Sequence, residues 1–232
     1  MMERRPEPEL MLDDEQARAY AEADFSEPHE HFVDLFAERF PGPVGGLVLD
    51  LGCGPGDVSL RFAARHPDCV VHGIDGAPAM LAAGAELRRH HPAGPRVNLV
   101  QGLLPEAAGP GAPYDTIISN SLLHHLHDPQ NLWAVIVRDG APGAAVFVMD
   151  LCRPDSREQV RTLVAQHAAD APEVLRRDFE NSLHAAFTPD EVRAQLDAAG
   201  LHGFRVEQVS DRHLVVWGRL PIASRVPGGP QP

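Results

Sequence analysis

The sequence predicts an α/β protein built on a doubly wound, mostly parallel β-sheet. Short apolar segments alternate with amphipathic helical segments between residues 47 and 151. The first of these segments is an almost uninterrupted apolar run, which is typical of a strand buried on both faces of a parallel sheet. Two strand-like segments joined by only two residues follow near the end of the chain. They predict an antiparallel hairpin at the edge of the sheet.

Each element has its own local signal. Apolar segments predict strands at residues 47–51, 69–74, 97–100, 115–119 and 144–151, and helical periodicity predicts helices at 57–66, 77–90 and 131–138. Two consecutive helices, 155–169 and 172–183, then interrupt the alternation and form an insertion over about residues 155–187. Thr188 is a predicted N-cap, followed by Pro189, for a helix that ends at Gly200. The terminal hairpin covers 202–209 and 212–220.

Two further helices, 12–24 and 27–40, precede the first strand, so residues 11–43 form an amino-terminal helical unit. Residues 44–223 have the length of one domain. The ends of the chain, 1–10 and 224–232, carry prolines and no periodic pattern, and we expect them to be disordered tails.

Composition excludes several classes of function. The chain has 232 residues, 20 arginines and no lysine, so a P-loop lysine, a Schiff-base lysine and a lysine base are all excluded. A formal net charge of −13 argues against nucleic-acid and anionic-membrane partners. No apolar run is long enough for a membrane span, and the polar start lacks the apolar core of a signal peptide. With three scattered cysteines, these features predict a reduced, cytoplasmic protein.

A glycine-rich turn follows the first strand. Gly52, Gly54 and Gly56 have no Cβ atom, which lets a ligand approach the backbone closely. Their spacing is G-x-G-x-G, one residue shorter than the dinucleotide fingerprint. Asp50 ends the strand and Asp57 opens the next helix, and these two carboxylates disfavour a pyrophosphate. The turn therefore favours a ligand that carries a cation or hydroxyl groups.

A second carboxylate ends the next strand. Asp75 follows the segment Val71-His72-Gly73-Ile74, 25 residues after Asp50. At that strand end it can accept hydrogen bonds from both hydroxyls of a ribose. The alternative is that Asp75 serves only as the N-cap of the following helix.

The segments Leu49-Asp50-Leu51-Gly52-Cys53-Gly54-Pro55-Gly56 and Gly73-Ile74-Asp75 resemble those of class I S-adenosylmethionine-dependent methyltransferases. The resemblance covers roughly residues 44–220, including segments 115–129 and 140–150. It implies a Rossmann-like sheet of seven strands with an antiparallel last strand, and amino-terminal helices that fold over the cofactor as a lid. It also implies S-adenosylmethionine as the cofactor and S-adenosylhomocysteine as its product, but says little about the methyl acceptor.

The resemblance assigns Asp50, the glycine turn, Asn120 and Ser121 to the methionine end of the cofactor. It assigns Asp75 to the ribose, and Gly76, Ala77 and Met80 to the adenine. The acidic residue that often contacts the adenine amino group is absent, so Gln101 or backbone groups near Leu103 would replace it. The implied cofactor residues are Asp50, Gly52, Cys53, Gly54, Gly56, Asp75, Gly76, Ala77, Met80, Gln101, Gly102, Leu103, Asn120 and Ser121.

The segment after the fourth strand contains three histidines and an aspartate in five positions, 124–128. A metal site is one interpretation, but adjacent histidines do not easily converge on one ion and no Cys or Glu completes a set, so we predict no metal. A general base is the second interpretation, because histidine can take a proton near neutral pH. His124 would then face the methyl group, paired across the acceptor with Tyr20 of the lid, while His125 packs behind it. The third interpretation is that these histidines only pack and form turns.

Other polar residues are candidates for binding the acceptor. Arg153 follows the fifth strand and could clamp a carboxylate or phosphate, although a local ion pair would explain it equally. Asn181 and His184 lie in the helical insertion, and Asp24 and Phe25 lie near the end of the first helix.

The sequence thus predicts a methyltransferase that acts on an O, N or S nucleophile of a small molecule, as a monomer or homodimer, without nucleic acid or membrane. Two alternatives stay open: a methyltransferase of protein or nucleic acid, and a relative that binds the cofactor without methylating.

Overall fold

A computed structural model describes residues 2–8, 23–107 and 109–222 of the chain. Its centre is a sheet of seven strands in the order β3-β2-β1-β4-β5-β7-β6. The strands are β1 (Gly46–Leu51), β2 (Cys69–Asp75), β3 (Val97–Gln101), β4 (Tyr114–Asn120), β5 (Gly140–Leu151), β6 (Arg205–Gln208) and β7 (His213–Arg219). The helices are α1 (Ser26–Arg39), α2 (Asp57–Arg65), α3 (Pro78–His90), α4 (Gln130–Asp139), α5 (Arg157–His167), α6 (Glu173–Ala185) and α7 (Pro189–Ala198).

The strand directions confirm the predicted topology. Strands β1 to β5 pair in parallel, whereas β7 is antiparallel to both β5 and β6. The chain begins in the middle of the sheet, moves outward to β3, and returns to place β4 on the other side of β1. This reversal opens a crevice beyond the carboxyl ends of β1 and β4, where open α/β sheets bind ligands.

Two hydrophobic cores fill the two faces of the sheet. On one face α1 and α2 supply aromatic side chains, and Phe36 packs edge-on against Phe62 and Phe147 at centroid distances of 4.8 and 5.8 Å. On the other face α4 and α7 bury Trp133, whose Nε1 donates a hydrogen bond to Gln195 at 3.1 Å. Burial of each large side chain stabilises the fold by about 1.5–3 kcal/mol.

The amino-terminal helix α1 is part of a core rather than a lid. It begins and ends within one residue of the predicted limits, and it buries Phe32, Val33, Leu35 and Phe36 against the sheet. Most of α1 therefore packs on the sheet, and only its first turn can take the role expected of a lid, because its apolar face is already occupied by the sheet. The helix predicted at 12–24, with Tyr20, lies outside the described residues.

The expectation of a disordered tail is wrong for residues 2–8, which pack against the domain. The Arg4 guanidinium donates to the carbonyls of Ala185, His124 and Leu126 at 2.6–3.0 Å and lies 3.9 Å from the centre of the Phe187 ring. The first two carbonyls end a helical segment and would otherwise lack partners within it. Because these partners lie more than 100 residues away, local composition did not predict the contact. The predicted tail 224–232 lies outside the described residues.

The predicted insertion is present as α5 and α6. These helices bury Leu163 and Leu183 against Leu151, at the carboxyl end of β5, and so cover the crevice. The predicted N-cap is also confirmed, since the Thr188 hydroxyl accepts from the Glu191 amide and the Glu191 carboxylate accepts from the Thr188 amide. Among the described helices, none combines the length and apolar character needed to cross a bilayer.

Candidate active site

A cavity of about 760 Å³ occupies the crevice at the carboxyl ends of the central strands. Its floor is formed by the turns after β1, β2 and β4, and α5 and α6 cover its other end. This volume lies toward the upper end of the range of about 300–1,000 Å³ that is typical of ligand sites. Most of the predicted cofactor residues and part of the predicted acceptor set therefore belong to one continuous space.

The glycine turn shapes one wall of this cavity. Gly52, with a φ of 70°, lies so close to Leu122 that an added Cβ atom would approach its side chain to 2.7 Å. Gly54, with a φ of 53°, has open space where its Cβ would be and lines the cavity. Cys53 also lines the cavity. Gly56, predicted to touch the cofactor, instead is absent from the lining and serves as the left-handed N-cap of α2.

Asp50 lies at the base of the turn and is almost fully buried. The Ser59 hydroxyl donates to its carboxylate at 2.5 Å, and no cation pairs with it among the described residues. Burial raises the pKa of Asp50 to about 7, and the nearby charge of Asp75 acts in the same direction. A positively charged ligand in the cavity would therefore favour the ionised carboxylate.

Asp75 ends β2 and lines the same cavity. Its two carboxylate oxygens accept from the amides of Gly54 and Ala77, each at 2.8 Å, so it stabilises the glycine turn and holds Ala77, the N-cap residue of α3. Burial raises its pKa above the ordinary value. Since a carboxylate has about four acceptor sites, Asp75 retains capacity for ligand hydroxyls. The alternative that Asp75 is the N-cap of α3 is wrong, because Ala77 occupies that position, and the ribose interpretation stays a prediction.

The remaining cofactor positions divide into those that border the cavity and one that does not. Gly76, Ala77, Met80, Gly102, Leu103, Asn120 and Ser121 all line it. The Gln101 side chain is exposed and does not line it, because alternation along β3 turns this residue away, so the expected adenine contact is wrong for Gln101. Ser121 has a positive φ of 55°, a strained conformation for a residue with a Cβ, and such strain concentrates at functional sites.

His124 is held from behind by a buried aspartate. Its Nδ1 lies 2.6 Å from an Asp150 carboxylate oxygen, and Asp150 also accepts from the Leu123 amide at 2.7 Å. Burial opposes ionisation of both side chains, yet their mutual attraction wins: the pKa of His124 lies above its ordinary value and that of Asp150 lies below. Asp150 was not among the predicted site residues, although its place at the end of a buried strand was a usable signal.

His125 lies beside His124, with ring centroids 4.2 Å apart, and also lines the cavity. Burial, together with the charge of His124, lowers the pKa of His125 to about 3, so the ring is neutral. Glu7, from the amino-terminal segment, places one carboxylate oxygen 3.4 Å from His124 Nε2 and 3.3 Å from His125 Nδ1. The premise that no glutamate completes a cluster with these histidines is therefore wrong.

The acceptor end of the cavity differs from the predicted set. Arg153 is wrong as a clamp, because its guanidinium is buried outside the lining, 2.6 Å from Glu191, and donates to Ala186. The ion-pair alternative holds instead. Asn181 is exposed and His184 also lies outside the lining, so both expectations are wrong because these positions point away from the cavity.

Asp24 and Phe25 do line the cavity, at the start of α1. The helical insertion contributes other residues than those predicted: Gln166, His167, Ala168, Ala171, Pro172, Leu175, Asp178, Phe179 and Ser182. Arg212 and His213 reach the cavity from the start of β7. Burial lowers the pKa of His213 to about 4, which keeps this ring neutral. Their signal in the sequence was a polar pair that opens an otherwise apolar strand.

His29 is a further cavity residue that sequence reasoning missed. Its Nδ1 lies 2.7 Å from Asp57, which also accepts from Arg61 at 2.7 Å. This network ties the first turn of α1 to the helix that follows the glycine turn. It explains why Asp57 remains ionised: although burial opposes this, His29 and Arg61 lower its pKa.

Comparison with known proteins gives two kinds of similarity in sequence. Residues 48–143 match a family model described as a methyltransferase domain. A trans-aconitate 2-methyltransferase of Methylobacterium nodulans is 32% identical over 145 residues, which are 62% of this chain and 52% of the relative. A protein of the same name from Azoarcus sp. is 33% identical over 50% of this chain and 42% of its own length. The chain thus spans about half the length of the curated relatives that it matches.

Solved structures share the fold at low sequence identity. A SAM-dependent methyltransferase from Aquifex aeolicus has a TM-score of 0.65 and 17% identity, covering 90% of this chain and 99% of that one. The plantazolicin methyltransferase BpumL in complex with SAH has a TM-score of 0.63 and 13% identity, covering 89% and 85%. Both have the sheet and helical layers described above.

Proposed function

We propose that this chain is a class I S-adenosylmethionine-dependent methyltransferase, which its fold and its matched domain support, and that it transfers a methyl group to a small organic acid. One observation carries the proposal: a single cavity of about 760 Å³ joins the strand-end carboxylates Asp50 and Asp75 to a separate end beneath α5 and α6. Cofactor and acceptor can thus meet in one space.

The cavity residues fit this cofactor. Asp50 is buried and Asp75 partly buried, neither has an ion-pair partner among the described residues, and a cationic ligand with hydroxyl groups satisfies both. Gly54 leaves open space where a side chain would block the approach of the ligand. When bound, S-adenosylmethionine supplies an electrophilic methyl group on a sulfonium. The residues that would hold it are Asp50, Asp75 and the other predicted cofactor residues that line the cavity, the last of which is Ser121.

An organic acid is proposed as the acceptor because of Arg212. It is the only arginine among the described residues that line the cavity, and the chain has no lysine. One of its terminal nitrogens lies 2.9 Å from both Asp211 and His167, which leaves other guanidinium donors for a carboxylate. The named activity of the curated relatives on trans-aconitate, an organic acid, supports this class.

His124 is proposed to orient the reacting group. Asp150 fixes the ring through Nδ1, so Nε2, which lies 3.4 Å from the Glu7 carboxylate, is the nitrogen left to act on a ligand. A carboxylate acceptor attacks without losing a proton, whereas a hydroxyl or thiol acceptor transfers its proton to Nε2. Much of the rate would come from holding the nucleophile within about 3–3.5 Å of the methyl carbon.

The test is a transfer assay on purified protein with methyl-labelled S-adenosylmethionine and a panel of mono-, di- and tricarboxylic acids. We expect a labelled product and an equal amount of demethylated cofactor with at least one acid, detected by mass spectrometry. Arg212→Gln should raise KM for that acid roughly tenfold or more while leaving cofactor affinity unchanged. Arg219→Gln, at the other end of β7, is the matched control and should behave as the unaltered protein.

Two results would contradict the proposal. If cofactor turned over with neutral acceptors but with none of the acids, the organic acid would be excluded as the acceptor and the methyltransferase activity would stand. No binding of S-adenosylmethionine by calorimetry to the folded protein would remove both.

A further inference from the structure

Three ring and carboxylate atoms converge beside the cavity in an arrangement suited to a cation. In the tautomer of His124 whose Nδ1 donates its hydrogen to Asp150, Nε2 carries a lone pair. The His125 ring bonds to the Pro8 backbone while its Nδ1 is buried without a hydrogen-bond partner, so Nδ1 carries the lone pair of that ring. One carboxylate oxygen of Glu7 faces both nitrogens, at 3.4 and 3.3 Å.

Electron-rich atoms placed this way repel one another unless something positive lies between them. A single proton, on His124 or on Glu7, serves only one of these two contacts at a time. A metal ion serves all the contacts at once, because each of the three atoms offers it a lone pair.

The spacing agrees with metal coordination. A tetrahedral ion with bonds of about 2.0–2.1 Å places neighbouring ligand atoms about 3.3 Å apart. The observed separations from Glu7 to the two nitrogens match this value, and all three atoms lie within 4.8 Å of one another.

Each of the three side chains also has an outer partner of the kind that orients metal ligands. Asp150 accepts from His124, the Pro8 backbone bonds to His125, and the Ser182 hydroxyl donates to Glu7 at 3.0 Å. Such partners fix the tautomer and the direction of a ligand before the ion arrives.

The geometry points to a binding site for one divalent transition-metal ion, held by Glu7, His124 and His125 with a further position open toward the cavity. Two imidazoles and one carboxylate suit zinc and similar ions, whereas magnesium and calcium prefer oxygen ligands only. The ion would tie the amino-terminal segment to the segment that follows β4. It would also occupy His124 Nε2, so proton transfer through that nitrogen stops when the site is filled.

The test measures metal binding to the metal-free full chain. Zn²⁺ binding is monitored by competition with a chromogenic chelator, and Co²⁺ binding is monitored by visible absorption. Neither readout requires a cofactor or an acceptor, so failure here is distinct from failure of the proposed methyl transfer. We expect saturable binding of one ion per chain and cobalt bands of low coordination number. Glu7→Gln should weaken binding at least about tenfold, and Asp150→Asn, which removes the charged partner that orients His124, about 10- to 100-fold.

Glu3→Gln is the matched control, since Glu3 is an exposed carboxylate of the same segment. It should bind zinc as the unaltered protein does. Thermal unfolding of each variant verifies that it is folded. If Asp150→Asn is not folded, His125→Gln is used in its place. Absence of one-to-one binding overturns the inference, as does binding that Glu7→Gln and His125→Gln leave unchanged.

Discussion

Asp75→Ala is the substitution that most directly tests the cofactor site. The carboxylate of Asp75 lines the cavity and accepts from the amides of Gly54 and Ala77 at 2.8 Å, so it also supports the turn beside the ligand. The substitution removes the acceptor for two ribose hydroxyls. It also leaves two backbone donors to be satisfied by water in the cavity.

The magnitude follows from the hydrogen bonds lost. Each bond between a hydroxyl and a carboxylate contributes about 1.5–3 kcal/mol, so the pair contributes about 3–6 kcal/mol. At about 1.4 kcal/mol per tenfold change, the affinity for S-adenosylmethionine should fall roughly 100- to 10,000-fold. Isothermal calorimetry with S-adenosylmethionine and with S-adenosylhomocysteine measures this, and both ligands should lose equally because both carry the ribose.

Asp115→Asn is the matched control. Asp115 also accepts a hydrogen bond from a backbone amide, that of Leu47 at 2.9 Å, but it lies at the opposite end of the sheet from the cavity. It should alter stability slightly and affinity not at all. Unimpaired binding by a folded Asp75→Ala variant would refute the ribose assignment, and an equal loss in Asp115→Asn would show a general effect of stability.

Three further outcomes are expected. Because burial raises the pKa of Asp50 to about 7, cofactor affinity should rise as the pH increases through 7, with proton release that calorimetry in two buffers detects and Asp50→Asn abolishes. The stability that protonated Asp50 contributes to the unliganded protein is lost as the pH rises from about 4 to about 7, so its melting temperature should fall over that range unless cofactor is present. Gly54→Ala should cost about 1–2 kcal/mol of stability and also weaken cofactor binding, whereas Gly200→Ala, at a similar φ of 74° with open space, should cost the same stability and leave binding intact by calorimetry. Arg153→Met should lower the free energy of unfolding by about 1–3 kcal/mol in urea titrations while kcat/KM stays unchanged, and a large rise in KM would restore Arg153 as an acceptor clamp.

The cofactor end of the site was predictable because its signals are local. Asp50, the glycine turn and Asp75 lie at strand ends, and parallel strands place these ends at one edge whatever the details of packing. The prediction for Gln101 was wrong because successive side chains along a strand point to opposite faces. A change of one position in the residue that faces the cavity is enough to turn Gln101 away from it.

The acceptor end was predicted less well because its residues meet through contacts distant in sequence. Arg153 turned to Glu191, 38 positions away, which no local pattern encodes. Tyr20 remains a prediction, since it lies outside the described residues.

By itself, the sequence determined the sheet, its reversed last strand and the place where a cationic ligand with hydroxyl groups would lie. These features depend on the periodicity of apolar residues and on glycine and carboxylate positions within a few residues of each strand end. Only the tertiary structure decided that Glu7 meets His124 and His125, that Asp150 fixes His124, and that Arg212 rather than Arg153 reaches the cavity. The reason is physical: partners for buried charges are selected by the packing of whole helices and strands, which brings together residues that the chain keeps far apart.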